Sequence, residues 1–194
     1  MKVYCLVFDG FSDWEIGYIL PELKNNGVDI VTVGFSPDAV ESMGGLNVVP
    51  HTVLAKVDVD EADLLIIPGG KRWHSKELAD EISEILQKFN NKKKTIAAIC
   101  GATIALARAG LLNDCKHTSN VKEYLQNYSK EHYRGDQYLE QLAVTDNNII
   151  TASGLGSLEF AAEILKILGI HTEDKCNEWY NFFKGTHCQN LKSY

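Results

Sequence analysis

Short β-branched runs alternate with longer segments of helical periodicity along this chain, and this alternation restricts its possible folds more than any other feature. Chains with this alternation form a parallel sheet covered by helices. The sequence therefore predicts an α/β three-layer sandwich, with a mostly parallel sheet and helices on both faces. The predicted strands are residues 3–8, 28–33, 64–67, 95–99 and 148–152.

Helices are predicted between and after these strands. From residue 76 to 89, apolar side chains recur every three or four positions, which gives the single apolar stripe of a helix on a sheet face. Residues 101–112 and 158–168 are apolar on almost every side, so both are predicted to be helices buried on more than one face. Another helix is predicted at about 13–26, where Pro21 should cause a kink unless the helix begins later.

Two smaller features complete the predicted organisation. Paired glycines between β-prone flanks favour a hairpin in residues 40–53. Near the end of the chain, aromatic residues predict a final helix at about 172–185, which would pack against the fold or against a partner subunit. These residues are Trp179, Tyr180, Phe182 and Phe183. A short exposed tail cannot leave so many rings in water, so we expect a homodimer.

Length and charge restrict the class of protein. The 194 residues fit one ordinary domain, which we expect to span 1–194. The apolar runs are shorter than the ~18 residues that cross a bilayer, and the N-terminus lacks the pattern of a secretory signal. A net charge of −7 argues against nucleic acid, whose phosphates need a basic face. We therefore expect a cytoplasmic protein with a small-molecule substrate and no nucleic-acid or membrane partner.

The cysteines and histidines suggest neither a disulfide framework nor a metal site. The cysteines stand at positions 5, 100, 115, 176 and 188, an odd number with no Cys-x-x-Cys pair, so reduced thiols are expected. The six histidines show no metal-ligand spacing. Neither a phosphate loop nor a full dinucleotide fingerprint is present. No metal and no cofactor is predicted.

Cys100 stands between a buried-type strand and a segment of small residues that begins a helix. This order is typical of a nucleophile elbow, a sharp strand-to-helix turn that presents a reactive side chain. The dipole and amide groups of a helix N-terminus favour the thiolate, so a depressed pKa is expected for Cys100. The alternative is a buried structural cysteine, since free cysteine is among the most buried residue types.

A second candidate segment is Pro68-Gly69-Gly70, which ends the strand at 64–67. Loops at the carboxyl ends of parallel strands border the crevice where ligands bind. The glycine amides could face an oxyanion there, and Trp73 and His74 would line the same mouth. The alternative is an ordinary strand-to-helix turn.

Glu15 follows the first strand and enters the first helix. A carboxyl group that points into the crevice could hydrogen-bond a thiolate or transfer a proton. An acid in the first turn of a helix could equally be a surface residue that complements the helix dipole.

Taken in order, these motifs resemble the ThiJ/PfpI superfamily, the class I glutamine amidotransferase-like group that includes the Parkinson's-disease deglycase and bacterial isocyanide hydratases. The resemblance runs from about residue 3 to residue 170 and includes Gly-Leu-Gly-Ser-Leu-Glu-Phe-Ala at 154–161. It implies a flavodoxin-like fold, with Cys100 as the reactive cysteine and Glu15 as the carboxyl group that contacts its sulfur. It also implies that the amides of Gly70 and Gly101 bind an oxyanion.

One segment departs from the superfamily pattern. Many relatives have a histidine after a Thr-Thr or Thr-Ser pair, a position at which Ser119 is predicted to stand here. His117 lies two residues earlier and would face the same side of an extended segment. It is either a substitute base or an ordinary strand histidine, and the pattern does not favour a protease mechanism that needs a Cys-His pair.

The predicted function is that of a cysteine-dependent enzyme acting on a reactive aldehyde, an isocyanide or an amide through a covalent Cys100 adduct. The resemblance implies glyoxalase or deglycase, hydratase, and peptidase or amidase activities without choosing among them. A glutaminase is disfavoured, because the His171-Thr172-Glu173 segment follows a helix and not a strand end. The alternative is a non-catalytic redox sensor or stress-response protein that uses an oxidisable, low-pKa Cys100.

Overall fold

The computed structural model of this chain describes residues 1–186, and the strands within them form a large sheet and a separate hairpin. The strands are β1 Lys2–Leu6, β2 Asp29–Gly34, β3 Val40–Glu41, β4 Asn47–Val48, β5 Thr52–Val53, β6 Leu64–Ile67, β7 Thr95–Ile99, β8 Ala143–Asp146 and β9 Ile149–Ala152. The large sheet has the order β5-β2-β1-β6-β7-β9-β8. All its neighbours pair in parallel except β8 and β9, while β3 and β4 form the hairpin. The predicted mostly parallel α/β fold is confirmed.

Each of the five predicted runs forms a strand of the large sheet, because parallel strands buried on both faces need continuous apolar sequence. β6, for example, consists of Leu and Ile residues that are all buried. The sequence did not predict β5 and β8. β8 contains Thr145 and Asp146 and is only partly buried at the sheet edge, where a polar strand is tolerated.

Helices cover both faces of the sheet. They are α1 Ile19–Asn25, α2 Lys76–Asn91, α3 Thr103–Arg108, α4 Lys122–Ser129, α5 Ser157–Ile167 and α6 Glu173–Phe183. One group is α1, α5 and α6, and the other is α2, α3 and α4. In the part of the chain that the structure describes, no helix combines the length and the apolar character needed to span a membrane.

Two predicted helices differ from the observed ones. The segment at 13–26 splits into a short 3-10 helix, Asp13–Glu15, and the later helix α1. Pro21 then falls in the first turn of α1, where backbone N–H groups have no partner within the helix, so it needs no kink. The segment at 101–112 begins with a 3-10 turn, Cys100–Ala102, and α3 itself ends at Arg108. The sequence did not predict α4.

The C-terminal aromatic residues lie on α6 and pack partly against their own chain. The indole nitrogen of Trp179 donates a hydrogen bond to Glu22 at 3.0 Å. The ring of Phe183 meets that of Tyr18 with centroids 5.2 Å apart. Phe182 remains 70% exposed, and the homodimer stays a prediction. The fifth cysteine, Cys188, lies outside the described residues.

Candidate active site

The candidate site lies at the carboxyl ends of four strands that are neighbours in the sheet, β1, β6, β7 and β9. Loops at the carboxyl ends of parallel strands meet in one crevice. The segments that follow these strands carry Glu15, Gly69, Cys100 and Gly154, in that order. The topology thus brings together residues that are far apart in the sequence.

Cys100 occupies the sharp turn between β7 and α3. Its φ of +56° lies in the left-handed region, which costs a non-glycine residue about 1–2 kcal/mol. Such strain persists only where the surrounding structure holds it. A Cβ atom at Gly101 would lie 2.8 Å from the Gly70 carbonyl oxygen, so the turn requires glycine there. Cys100 is partly exposed, whereas Cys5, Cys115 and Cys176 are buried.

The Glu15 carboxyl group lies against Cys100 and is almost completely buried, at 1% exposure. Its Oε2 accepts a hydrogen bond from the Gly69 amide at 2.5 Å, while its Oε1 is buried and has no hydrogen-bond partner among the described residues. A Cβ atom at Gly69 would lie 2.6 Å from Glu15 Oε2 and 2.7 Å from Cys100 Cβ. The contact between the carboxyl group and the thiol therefore depends on a glycine at position 69.

Burial controls the ionisation of this pair. It raises the pKa of Glu15 to about 7, and burial together with the Glu15 charge raises the pKa of the Cys100 thiol to about 11. Two acids in buried contact do not both ionise near neutral pH, so the pair carries at most one negative charge there.

These values correct the depressed pKa expected for Cys100. The helix after the cysteine is only a 3-10 turn followed by the six-residue α3. The effect of its dipole and amide groups on the pKa of Cys100 is smaller than the opposing effects of burial and of the adjacent Glu15 carboxylate.

Asn120 is the site residue that sequence reasoning missed. Its Nδ2 lies 3.3 Å from Cys100 Sγ and donates a hydrogen bond to it, which lowers the pKa of the thiol against the effect of burial. Its Oδ1 accepts a hydrogen bond from the Gly154 amide at 2.9 Å. Asn120 directly follows the Thr118-Ser119 pair, and this order was the signal that could have identified it.

Ser119 does not reach the sulfur, although it was predicted to stand at the histidine position. Its hydroxyl lies 2.7 Å from that of Thr103. The Thr103 hydroxyl in turn donates to the Cys100 carbonyl oxygen at 2.6 Å. Ser119 thus supports the backbone of the elbow.

The structure does not place His117 as a base for Cys100. The ring is fully buried, with Nδ1 2.8 Å from the Cys115 carbonyl oxygen and Nε2 2.8 Å from the Tyr133 hydroxyl. Burial also lowers the pKa of His117. Since both ring nitrogens are bonded elsewhere, the histidine connects two segments of the fold and the base role is not supported.

The glycine amides lie on the loops predicted to bind an oxyanion. The Gly101 amide acts to lower the pKa of the Cys100 thiol, against the larger effect of burial. The Gly70 amide has no protein acceptor within residues 1–186. A Cβ atom at Gly70 would lie 2.6 Å from the Gly10 carbonyl oxygen, so only glycine fits beside that loop.

Trp73 and His74 do not line an open mouth next to the sulfur. Trp73 is fully buried; its indole nitrogen donates to the Pro68 carbonyl at 2.9 Å, and it supports the glycine loop from within the fold. The His74 Nε2 lies 2.9 Å from the Tyr124 hydroxyl, and its ring stacks on Tyr128 with centroids 4.5 Å apart. His74 therefore joins the glycine loop to α4.

Two further predictions from the sequence concern groups outside the crevice, namely the His171-Thr172-Glu173 segment and possible metal ligands. His171 Nε2 lies 2.9 Å from a Glu22 carboxylate oxygen, which places this histidine beside α1. Among residues 1–186, no group of three or more His, Cys, Asp or Glu side chains is arranged to hold a metal ion.

Comparisons with known proteins place the chain in a family. Residues 1–167 match the DJ-1/PfpI family. The uncharacterized protease YoaZ of Bacillus subtilis is 40% identical over 195 residues, which cover 94% of this chain and 90% of the relative. The deglycase TK1284 of Thermococcus kodakarensis is 29% identical over 171 residues, which cover 87% of this chain and 99% of the relative.

A solved structure gives the same result. The DJ-1 superfamily protein Atu0886 from Agrobacterium tumefaciens matches with a TM-score of 0.88 and 34% identity, over 96% of this chain and 99% of that one. The flavodoxin-like fold implied by the sequence motifs is thereby confirmed, and this chain belongs to the DJ-1/PfpI family.

Proposed function

We propose that this protein is a cysteine-dependent enzyme that acts on a small electrophilic substrate through a covalent adduct on Cys100. The observation that carries the proposal is the position of the Cys100 sulfur, held on a strained turn between the Glu15 carboxyl group and the Asn120 amide. Strained backbone at a ligand crevice is typical of functional sites. A carboxyl group with a pKa near the working pH is suited to proton transfer.

The adduct forms by addition of the thiol to a carbonyl group. As the Cys100 sulfur attacks the carbon, the Glu15 carboxylate takes the thiol proton, a C–S bond forms, and the π electrons of the C=O bond move to oxygen. The amides of Gly70 and Gly101 stabilise the negative oxygen. The proton on Glu15 then passes to that oxygen and gives a neutral hemithioacetal on Cys100. For an α-oxoaldehyde, transfer of the C1 proton to the neighbouring carbonyl carbon converts this adduct into a thioester, and water then cleaves the thioester to release a 2-hydroxy acid and the free thiol.

The geometry favours reactive aldehydes over amides as substrates. Addition to an aldehyde needs only the single proton that Glu15 can carry, whereas amide cleavage also needs an acid for the leaving amine. No histidine nitrogen hydrogen-bonds the Cys100 sulfur in the described part of the chain. The deglycase name of the Thermococcus relative agrees with this choice, and the protease name of the Bacillus relative makes amides the comparison class.

Turnover tests the proposal. Wild type and Cys100→Ser are assayed with methylglyoxal, an isocyanide, glutamine and a peptide, with Cys115→Ser as a control for a buried thiol outside the site. We expect wild type and Cys115→Ser to consume methylglyoxal and Cys100→Ser to lose that activity. Consumption by Cys100→Ser at the wild-type rate, or none by wild type with any substrate, would contradict the proposal. In the second case, oxidation of Cys100 to sulfinic acid by dilute peroxide would support the redox-sensor alternative.

A further inference from the structure

A cavity of about 430 Å³ opens beside Asn120. Asn120 lines it and also contacts Cys100 Sγ at 3.3 Å. Ser153 and Leu155 line it as well, and they flank Gly154, where a Cβ atom would lie 3.0 Å from the same sulfur. The cavity therefore lies beside Asn120 and next to the Gly154 loop, both of which are close to the candidate nucleophile, although Cys100 itself is not part of the lining.

The lining of this cavity includes an apolar part. Val121, Leu142 and Leu155 all contribute to it, and their side chains are 53%, 39% and 87% exposed. They come from three separate segments, the turn before α4, the turn before β8 and the loop after β9. Clustered exposed apolar side chains beside a site are a frequent mark of ligand binding.

The charged residues of the cavity restrict the ligand further. Glu123 and Glu140 contribute two carboxylates to the lining and Lys122 one ammonium group. With Glu15 buried behind the sulfur, the local charge disfavours an anionic group. The volume also exceeds what methylglyoxal alone would need, since pockets of ~300–1,000 Å³ hold much larger ligands.

We propose that this cavity holds a neutral apolar group, either an aromatic ring or a branched alkyl chain, that is attached to the electrophilic carbon of the substrate. This inference rests on the proposed function. Aryl or branched-alkyl α-oxoaldehydes are then better substrates than methylglyoxal. Leu142 and Leu155 are the residues that determine this specificity.

Alkylation of Cys100 tests the cavity separately from turnover. Iodoacetamide and N-benzyliodoacetamide both form a C–S bond with loss of iodide, and they differ only by an apolar ring. The rate constants with Cys100 are measured by peptide mass spectrometry, and their ratio is compared with the same ratio for glutathione. Val49→Ser is the matched control, because Val49 is 69% exposed but does not line the cavity.

We expect the ratio of the benzyl rate constant to the iodoacetamide rate constant to be about tenfold higher for Cys100 than for glutathione. Apolar pockets discriminate between ligands by factors of about this size. Leu155→Ser and Leu142→Ser should each reduce this preference, and Val49→Ser should retain it. A wild-type ratio equal to the glutathione ratio would overturn the inference, and it is the result expected if a second copy of the chain covers the cavity. Equal losses of the benzyl preference in Leu155→Ser and Val49→Ser would also overturn it.

The turnover arm compares phenylglyoxal with methylglyoxal. A higher kcat/KM for phenylglyoxal that falls in Leu155→Ser supports both the cavity and the proposed function. Benzyl preference in alkylation without consumption of either aldehyde would support the cavity and contradict the proposed function. Consumption of both aldehydes without any benzyl preference would contradict the cavity alone.

Discussion

The side-chain amide of Asn120 donates a hydrogen bond to Cys100 Sγ across 3.3 Å. A hydrogen bond to sulfur stabilises the thiolate and opposes the burial that raises the pKa of the thiol. The Asn120 carbonyl oxygen is held by the Gly154 amide, which fixes the orientation of the donor. A neutral amide in this position can stabilise the sulfur but cannot take its proton, so proton transfer in this account belongs to Glu15.

Asn120→Ala should make Cys100 less reactive. Loss of the hydrogen bond raises the pKa of the thiol further, and hydrogen bonds to charged groups contribute about 1.5–3 kcal/mol. We therefore expect alkylation by iodoacetamide at pH 8 to slow about tenfold or more. Asn127→Ala, on the exposed face of α4, is the matched control. Equal rates in wild type and Asn120→Ala would show that the contact has no effect on the sulfur.

Glu15→Gln should change reactivity and turnover in opposite directions. The Glu15 charge raises the pKa of Cys100, and a like charge at contact distance shifts a pKa enough to change the thiolate fraction about tenfold. Alkylation of Glu15→Gln at pH 8 should therefore be about tenfold faster than that of wild type. Turnover should fall about 10²- to 10⁴-fold, because the proton carrier is lost.

The same variant tests the proton carrier by pH. Wild-type kcat/KM should rise with pH through about 7, where Glu15 becomes the carboxylate that accepts the thiol proton. Glu15→Gln should lack this rise. A variant that keeps both wild-type turnover and the rise near pH 7 would exclude Glu15 as the base.

Stability should depend on the ionisation of Glu15. Burial raises its pKa to about 7 in the folded protein, above the value of about 4.3 for an unfolded chain. The folded state keeps the proton where the unfolded chain has lost it, so this stabilisation is fully present below about pH 4.3 and is lost as pH rises through about 7. Between pH 5 and pH 8, wild type should lose about 3 kcal/mol of unfolding free energy relative to Glu15→Gln in urea titrations. Parallel pH profiles for the two proteins would contradict the raised pKa.

His117→Asn should affect stability and leave the site intact. The substitution removes the bridge between the Cys115 carbonyl and the Tyr133 hydroxyl, and an unsatisfied buried polar group costs about 1–3 kcal/mol. We expect a loss of this size in urea unfolding. The alkylation rate of Cys100 should stay within about twofold of wild type, because substitutions at uncoupled sites affect each other by only about 0.3–0.5 kcal/mol. A variant of normal stability that no longer turns over substrate would restore His117 as the base.

The fold and half of the site were predictable because they depend on local sequence. Parallel strands buried on both faces need continuous apolar runs, so β6 and β7 were evident, as was the turn at Cys100. The periodicity of residues 76–89 identified α2 for the same reason. α4 was missed, because its short segment mixes tyrosines with polar residues and has only Leu125 and Ser129 buried.

The other features depend on contacts between distant segments. The order of residues marks Asn120 as the one that follows the Thr118-Ser119 pair, but the orientation of its side chain toward the sulfur depends on the Gly154 amide, which is distant in sequence. His117 finds its partner Tyr133 only in the folded chain. The raised pKa of Cys100 likewise follows from tertiary burial beside Glu15, which local sequence does not record.

The most direct test of the central claim joins alkylation of Cys100 to loss of turnover in the same samples. Protein is treated with increasing amounts of iodoacetamide, and each sample is assayed for methylglyoxal consumption and for alkylation of every cysteine peptide. Cys100 is partly exposed while Cys5, Cys115 and Cys176 are buried, so Cys100 should be modified first among these four. Residual activity should fall in proportion to Cys100 alkylation and reach zero when Cys100 is fully modified. Activity that survives complete alkylation of Cys100 would contradict the central claim.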